Sequence, residues 1–358
     1  MSAPARIYVD ETHCGRHVTG LERITLELFS TAALAPLPIV PVRAGGRKSM
    51  MLRQNTDLPW RALRDRSSLV LCPGFPPSIP LMLAGGDRVI PYIHDLFLLT
   101  RPQDLNRRAK LYMVTPFRFA VEHGRLFLVN SQATADDLRR FCRADADILL
   151  YRPRVRNVFD IAVGDRVTRP APPGALKLIA VGTVEPRKNL AAAAAILAAL
   201  RNTSHPGATL DIVGRPGWGV DLAALAAHPG IRLHGYQPAE AARRLIEEAD
   251  ALLSTSHDEG LGLPLLEAQY TGLPVIAPQG AVFREVLGDS GLLVDPADPG
   301  GAAQAISQAL AGPDWRARHV RFAADNLARW NAAAETDRAR VIAALQGRLV
   351  QCEANRKG

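Results

Sequence analysis

Cysteine is scarce in this sequence and unpatterned. Cys14, Cys72, Cys142 and Cys352 lie far apart, with no CxxC pair and no histidine-rich partner spacing. A disulfide-stapled scaffold and a structural zinc site are therefore disfavoured, and a reduced cytoplasmic compartment is expected. Long apolar runs are missing too. The best candidate, Leu190–Leu200, is an alanine-rich helix core of 11 residues, well short of the roughly 20 that span a bilayer. Asp10 and Glu11 stand where a secretory leader would need apolar residues, so no leader is expected. Aromatic residues make up only 6% of the chain, and the positive charge lacks a run of interleaved aromatics. No recognised nucleic-acid-binding motif is present, which leaves a basic nucleic-acid-binding protein as the weaker alternative.

Negative charge is in short supply on one side only. The 358 residues carry a formal net charge of +8. Residues 1–170 hold 25 Lys+Arg against 16 Asp+Glu, whereas residues 171–358 hold 18 against 19. The first half should therefore be drawn to anionic surfaces and the second should not.

A chain this long is expected to divide into two cores. Short apolar strands are predicted at 5–10, 38–42, 68–72, 88–94, 125–130 and 148–151. Residues 44–66 are basic and rich in breakers, and read as a loop or short helix. A basic amphipathic helix is expected over 104–123, and Ser131 should cap the helix that follows it. Periodicity fades and prolines gather over 157–175, the best linker in the chain. Beyond it, strands at 176–181, 209–213, 231–234, 250–254, 274–277 and 291–294 alternate with helices at 189–202, 219–228, 238–248, 261–271 and 298–311. That alternation predicts a parallel sheet covered on both faces. The expected division is an N-terminal domain at 1–170 and a second domain at 171–330. A C-terminal helix at 331–358 would return to the first domain. Two such halves imply a cleft between them, where ligands usually sit.

The stretch Ser254–Gly280 concentrates the chemistry. A strand ending in Ser254, Thr255 and Ser256 meets a turn containing Gly260 and Gly262, and a helix opens there. Free amides at such a helix start favour phosphate, and glycine permits close approach of the ligand. Glu259 and Glu267 flank the turn. Were the segment between them wholly helical, they would stand roughly 12 Å apart along the axis, enough to reach hydroxyls at both ends of a nucleotide sugar. Arg187 and Lys188 follow another apolar strand and a proline. Two cations there suit a phosphorylated ligand. Asp145 and Asp147 read as a solvated turn rather than a metal site.

The segment GluGlyLeuGlyLeuProLeuLeuGlu at 259–267 resembles the E-x7-E signature of retaining glycosyltransferases of family 4. AlaValGlyThrValGluProArgLysAsnLeu at 180–190 is similar to that family's Arg-Lys loop. IleValGly at 212–214, HisGlyTyr at 234–236, HisAsp at 94–95 and ValAsnSer at 129–131 extend the resemblance over nearly the whole chain. It implies the α/β GT-B fold, with two Rossmann-like domains whose parallel sheets face each other across a cleft. It also implies metal-independent transfer of a sugar from a nucleotide diphosphate donor, with no cofactor.

On that resemblance the catalytic residues are Glu259, His94, Arg187 and Lys188. The donor would be bound by Gly20, Thr183, Gly214, Gly235, Tyr236, Gly260, Leu261, Gly262, Leu263 and Glu267. Thr183 stands where the family often has a further arginine, which puts a three-cation clamp in doubt. The pattern looks most like the mannosyl- and rhamnosyltransferring members that build bacterial surface polysaccharides, with GDP-mannose favoured as donor. The acceptor would be a glycan or lipid-linked oligosaccharide, and the basic first domain, through helix 104–123, would dock on the anionic inner face of the plasma membrane. A nucleotide-sugar epimerase of the same fold is the other enzymatic alternative.

Overall fold

A computed structural model describes residues 5–15, 20–101, 112–161, 163, 175–312 and 314–357. The described residues form two wholly parallel six-stranded sheets, each in its own compact unit. The first unit comprises Met1–Pro153 with Ala333–Gly358, and the second Arg154–Ala332.

In the first unit the strands β1 (Ile7–Glu11), β2 (Ile39–Arg43), β3 (Leu69–Cys72), β4 (Val89–Ile93), β5 (Leu126–Val129) and β6 (Asp147–Leu150) lie in the order β2-β1-β3-β4-β5-β6. β1, β3, β4 and β5 are buried along their whole length; β3, β4 and β5 accordingly read as apolar runs, whereas β1 ends in buried Asp10 and Glu11. Ser131 caps the helix Gln132–Arg139, accepting from the Thr134 amide at 3.1 Å. Asp145 is bonded by Arg143 and Arg125, and the Arg143 hydrogen bond pulls its pKa to about 2.

Of the two readings of residues 44–66, loop or short helix, the structure shows helix over 47–64. These residues run continuously as helix Arg47–Leu52, a π turn Arg53–Asp57 and helix Leu58–Arg64. Hydrogen bonds anchor the inner side of the π turn. Gln54 donates to Asp10 at 2.9 Å, and its carbonyl accepts from Ser78. Of the expected basic helix 104–123, Arg107, Arg108 and Lys110 lie outside the described residues; Val114–His123 is helical, with Phe117, Ala120 and Val121 buried.

The second unit holds β7 (Lys177–Val181), β8 (Thr209–Val213), β9 (Ile231–Gly235), β10 (Ala251–Leu253), β11 (Val275–Pro278) and β12 (Gly291–Val294), ordered β12-β11-β10-β7-β8-β9. This is the doubly wound order in which the chain builds outward from β7 and then returns to build outward from β10 on the other side. The helix Leu190–Asn202 lays Leu190, Ala193, Ala194, Ile196, Leu197 and Leu200 on the core. Each large aliphatic side chain buried there contributes about 1.5–3 kcal/mol relative to exposure.

The boundary falls at Pro153/Arg154, earlier than the proline-rich stretch that set it at 170 by sequence. Val155 and Ile161 are buried, and the Val155 backbone bonds Asn331 and Tyr270 of the second unit. Packing, not proline density, decides where the unit begins. The long helix Trp315–Lys357 passes from one unit to the other at Ala332/Ala333. In the second unit Arg316 pairs with buried Asp250 at 2.7 Å, and in the first Asp337 pairs with Arg152 at 2.7 Å.

Candidate active site

Between β7 and β10 the direction of winding reverses, and in open parallel sheets the crevice beyond such a reversal is where ligands bind. A pocket lies at this place, beyond the C-terminal ends of the two strands. Thr183, Lys188, Ser256, Glu259 and Gly262 are among its lining residues. Leu190, the first residue of one helix, and Pro264, the second of another, also line it. Asn189, the N-cap of the first, makes no side-chain cap hydrogen bond. In the second, Pro264 has no amide hydrogen and the Leu265 amide already donates to the Gly262 carbonyl at 2.9 Å. The positive ends of two helices thus border one cavity.

Local sequence explains this shape. Gly262 has φ 74°, a left-handed conformation that costs glycine little, and it turns the chain directly into the helix Leu263–Tyr270. At Gly214 the requirement is close approach: a Cβ there would lie 1.7 Å from the Gly182 carbonyl oxygen. The exit of β10 is clipped to the Arg187–Asn189 turn. Thr255 Oγ1 donates to the carbonyls of Lys188 and Asn189 at 3.1 and 2.9 Å, and the His257 amide donates to that of Arg187 at 2.9 Å.

That clip brings four charges together. The Glu259 carboxylate accepts from Lys188 Nζ at 2.5 Å, Ser256 Oγ at 2.8 Å and Arg187 Nη1 at 2.6 Å. Arg187 is heavily engaged. Its Nε and Nη2 donate to Glu185 at 3.1 and 2.7 Å, and Nη1 also reaches the Asp258 carbonyl at 3.1 Å. Among the described residues Lys188 bonds Glu259 alone through its ammonium group. Burial pushes the Glu259 carboxyl up, but Lys188 and Arg187 outweigh it and hold the pKa below the usual carboxylate value. Burial would lower the Arg187 pKa, and the paired carboxylates of Glu259 and Glu185 raise it instead. Glu259 is thus an ionised acceptor fixed in place, while Lys188 is the cation with hydrogen-bonding capacity to spare.

Of the residues singled out by sequence, Glu259, Lys188, Thr183 and Gly262 line this pocket, and Arg187 braces Glu259 from behind. Gly214 and Gly235 lie at the ends of β8 and β9, joined by a 2.9 Å hydrogen bond from the Gly214 amide. Tyr236 follows them, 62% exposed, with the Arg215 guanidinium 4.6 Å from its ring centre. Gly260, Leu261, Leu263 and Glu267 do not line the pocket, and Leu261, Leu263 and Glu267 are buried. The helix begins only at Leu263, so the premise of a continuous helix from 259 to 267 fails. The positive φ of Gly262 is the reason: it breaks the helical run five residues before Glu267.

Glu185 and Ser256 were not singled out by sequence. Glu185 stands inside the Arg-Lys segment, but only folding shows that it holds Arg187. Ser256 lies three residues before Glu259, a spacing at which a hydroxyl can reach a following carboxylate.

His94 belongs to the first unit, beyond the end of β4. Its Nε2 is 2.7 Å from the Pro73 carbonyl oxygen, and its ring packs edge-on against Tyr92. Burial pushes its pKa down to about 4, against the opposing pull of the Pro73 carbonyl. The ring is neutral at pH 7, so Nε2 carries the proton donated to Pro73. Gly20 opens the helix Gly20–Phe29, and a Cβ there would meet nothing within 4 Å. Among the described residues no group of three His, Cys, Asp or Glu side chains is placed to hold a metal ion.

Comparison with known proteins agrees with this geometry. Residues 175–312 match the family glycosyl transferases group 1. The chain is 27% identical over 247 residues to the O-antigen chain mannosyltransferase B of Escherichia coli, an alignment covering 64% of this chain and 63% of that protein. The chain spans less than two thirds of the length of the curated relatives it matches first. Sucrose-phosphate synthase from Thermosynechococcus elongatus has a similar fold, with a TM-score of 0.69 at 16% identity over 98% of both chains. So has Anabaena Alr3699/HepE, solved in complex with UDP and glucose, with a TM-score of 0.62 at 16% identity over 93% of this chain and 99% of that one. Residues 175–312 are a domain of the glycosyl transferases group 1 family, carried in a chain with the GT-B fold.

Proposed function

We propose that this chain is a retaining, metal-independent glycosyltransferase. It moves a hexose from a nucleotide diphosphate sugar to a glycan or lipid-linked acceptor in cell-surface polysaccharide synthesis. The observation that carries this reading is the Lys188–Glu259–Arg187 cluster in a pocket bordered by two helix starts. An ionised carboxylate is a strong acceptor for sugar hydroxyls. A lysine and the positive ends of two helices stabilise charge as it grows on a departing diphosphate.

In this scheme Lys188 turns from Glu259 to the diphosphate when donor binds, and Arg187 keeps Glu259 ionised and still. Glu259 holds the sugar. The acceptor attacks on the face the diphosphate leaves, and the diphosphate takes the acceptor's proton, so configuration is retained without a covalent enzyme intermediate. This scheme assigns no carboxylate the role of nucleophile that a two-acid retaining mechanism would require. Mannose is favoured because the curated relative from Escherichia coli is a mannosyltransferase. GDP-mannose is the donor expected with it.

The test is a thermal-shift screen against GDP-, UDP-, dTDP- and ADP-sugars, followed by product analysis with the stabilising donor. GDP-mannose should raise the melting temperature most, and the product should keep the donor's anomeric configuration with a chelator present. Isomerised sugar formed without acceptor would replace the transferase reading by an epimerase. Glu259→Gln that binds donor but transfers at the full rate would remove Glu259 from the mechanism.

A further inference from the structure

The stretch 47–64 of the first unit has two unlike sides. Its inner side is tied down by Gln54, with Leu58, Pro59 and Ala62 buried. Its outer side exposes Arg47, Lys48, Met51, Leu52, Asn55, Thr56, Trp60, Leu63 and Arg64. Those positions recur at helical spacing, and the extra residue of the π turn carries the stripe across Arg53–Asp57 without a break. Four of them are large and apolar: Trp60 is 54% exposed, Leu63 57%, Leu52 63% and Met51 48%. Leu83, 73% exposed, belongs to the neighbouring helix Ile79–Gly85.

Charge identifies what such a face would meet. Residues 47–64 contain five cations and one acid. That acid, Asp57, is neutralised within the stretch by Arg53 at 3.1 Å and Arg61 at 2.9 Å. The exposed stripe is therefore apolar and cationic with no free acid. Arg64 lies 5.1 Å from the Trp60 ring centre, so an aromatic anchor and a cation sit side by side. Tryptophan favours the bilayer interface, aliphatic side chains enter its acyl boundary and lysine or arginine meets anionic headgroups. A second copy of this chain would present the same cations to each other, which opposes self-association.

We propose that the outer side of residues 47–64 docks this protein on an anionic lipid surface, lying in the interface rather than crossing it. The proposal stands independently of the catalytic reading. It also places the contact elsewhere than residues 104–123.

The test uses the full chain with vesicles of phosphatidylcholine alone or mixed equally with phosphatidylglycerol. The protein should co-sediment with the mixed vesicles only, and less so as salt rises. The Trp60→Ser, Leu63→Ser double variant should lose at least about tenfold in binding. Lys48→Ala and Arg64→Ala should each lose about fivefold. These side chains are exposed, so circular dichroism should show an unaltered fold in every variant. Binding left unchanged by the double variant would overturn the proposal, and so would equal binding to neutral vesicles. A dimer in sedimentation that Trp60→Ser dissociates, with no vesicle binding, would make the face a self-association surface instead.

Discussion

Each unit has a place where its sheet reverses its winding, and the two places carry different chemistry. In the second unit the reversal between β7 and β10 holds Arg187 and Lys188 against Glu259 and Glu185, beside two helix starts. In the first unit the reversal lies between β1 and β3, and acids crowd it: Asp10, Glu11 and Glu22 are all buried. Their oxygens are already used. Asp10 accepts from Thr12 and Gln54, Glu22 from the Gly15 amide and Glu11 from Arg43. Burial, with Glu11, Glu22 and Asp10, pushes the nearby Cys14 thiol up to about 12. One topology thus provides two crevices of contrasting charge, one acidic and one in which two cations balance two acids. In the first, the acids pin the chain that leaves β1.

Removing the cation tests that contrast most severely. Lys188→Ala should lower kcat by about 10²–10³-fold, the loss typical of one preorganised charge-stabilising donor. Donor binding measured by thermal shift should weaken as well. The matching change in the first unit, Asp10→Asn, should leave donor binding unaltered while lowering the melting temperature, because Asp10 bonds only its own unit. If Asp10→Asn weakened donor binding as much as Lys188→Ala, the division of labour would be wrong.

The next effect concerns stability and pH together. Arg187→Met leaves Glu259 and Glu185 without their shared cation, and breaking such an enclosed pair should cost about 3 kcal/mol. Glu259 has a depressed folded-state pKa, so its contribution to stability is present above the ordinary carboxylate range and is lost as pH falls through the depressed value. Without Arg187 that loss should begin at higher pH. The acid limb of kcat/KM should move the same way, measured across pH 4 to 7, a range set by ordinary carboxylate values. A limb that stayed in place would show that Lys188 alone keeps Glu259 ionised.

The contrast between the crevices was only half visible in the sequence. The strands of the second unit were legible because apolar runs such as Thr209–Val213 and Gly291–Val294 end at glycine or aspartate, and the structure keeps those bounds. Glu259, Lys188 and Arg187 could be picked out by residue type and resemblance. Their hydrogen bonds could not, because more than 70 residues separate Glu259 from either cation and only the clip through Thr255 brings them together. The helical stretch 47–64 was legible only as one of two alternatives, loop or short helix. Asn55, Thr56, Asp57 and Pro59 lower local helix propensity, whereas tertiary bonds through Gln54 and Ser78 hold it in place. Glu267 is buried and does not line the pocket, and nothing local in the sequence reveals that burial.

The smallest expected effect separates two ways of fixing a protonation state. Glu259 is kept charged by neighbouring cations; His94 is kept neutral by burial, at a pKa of about 4. Between about 6.5 and that value the unfolded chain binds a proton that the native ring refuses, so stability falls as pH is lowered through this window. His94→Gln removes that penalty while its amide can still donate to the Pro73 carbonyl. The wild-type melting temperature should therefore drop more steeply from pH 7 to pH 5 than that of the variant, by a few degrees at most (~2–4 °C per kcal/mol in a domain of this size). His205 and His319 are also pushed down by burial, so the variant should retain part of the slope. The rate profile should show no limb near 6.5 in either protein, since a ring neutral throughout has nothing to titrate there. A limb near 6.5 that vanished in His94→Gln would mean the ring ionises during turnover, and the first crevice would then join the second in the chemistry.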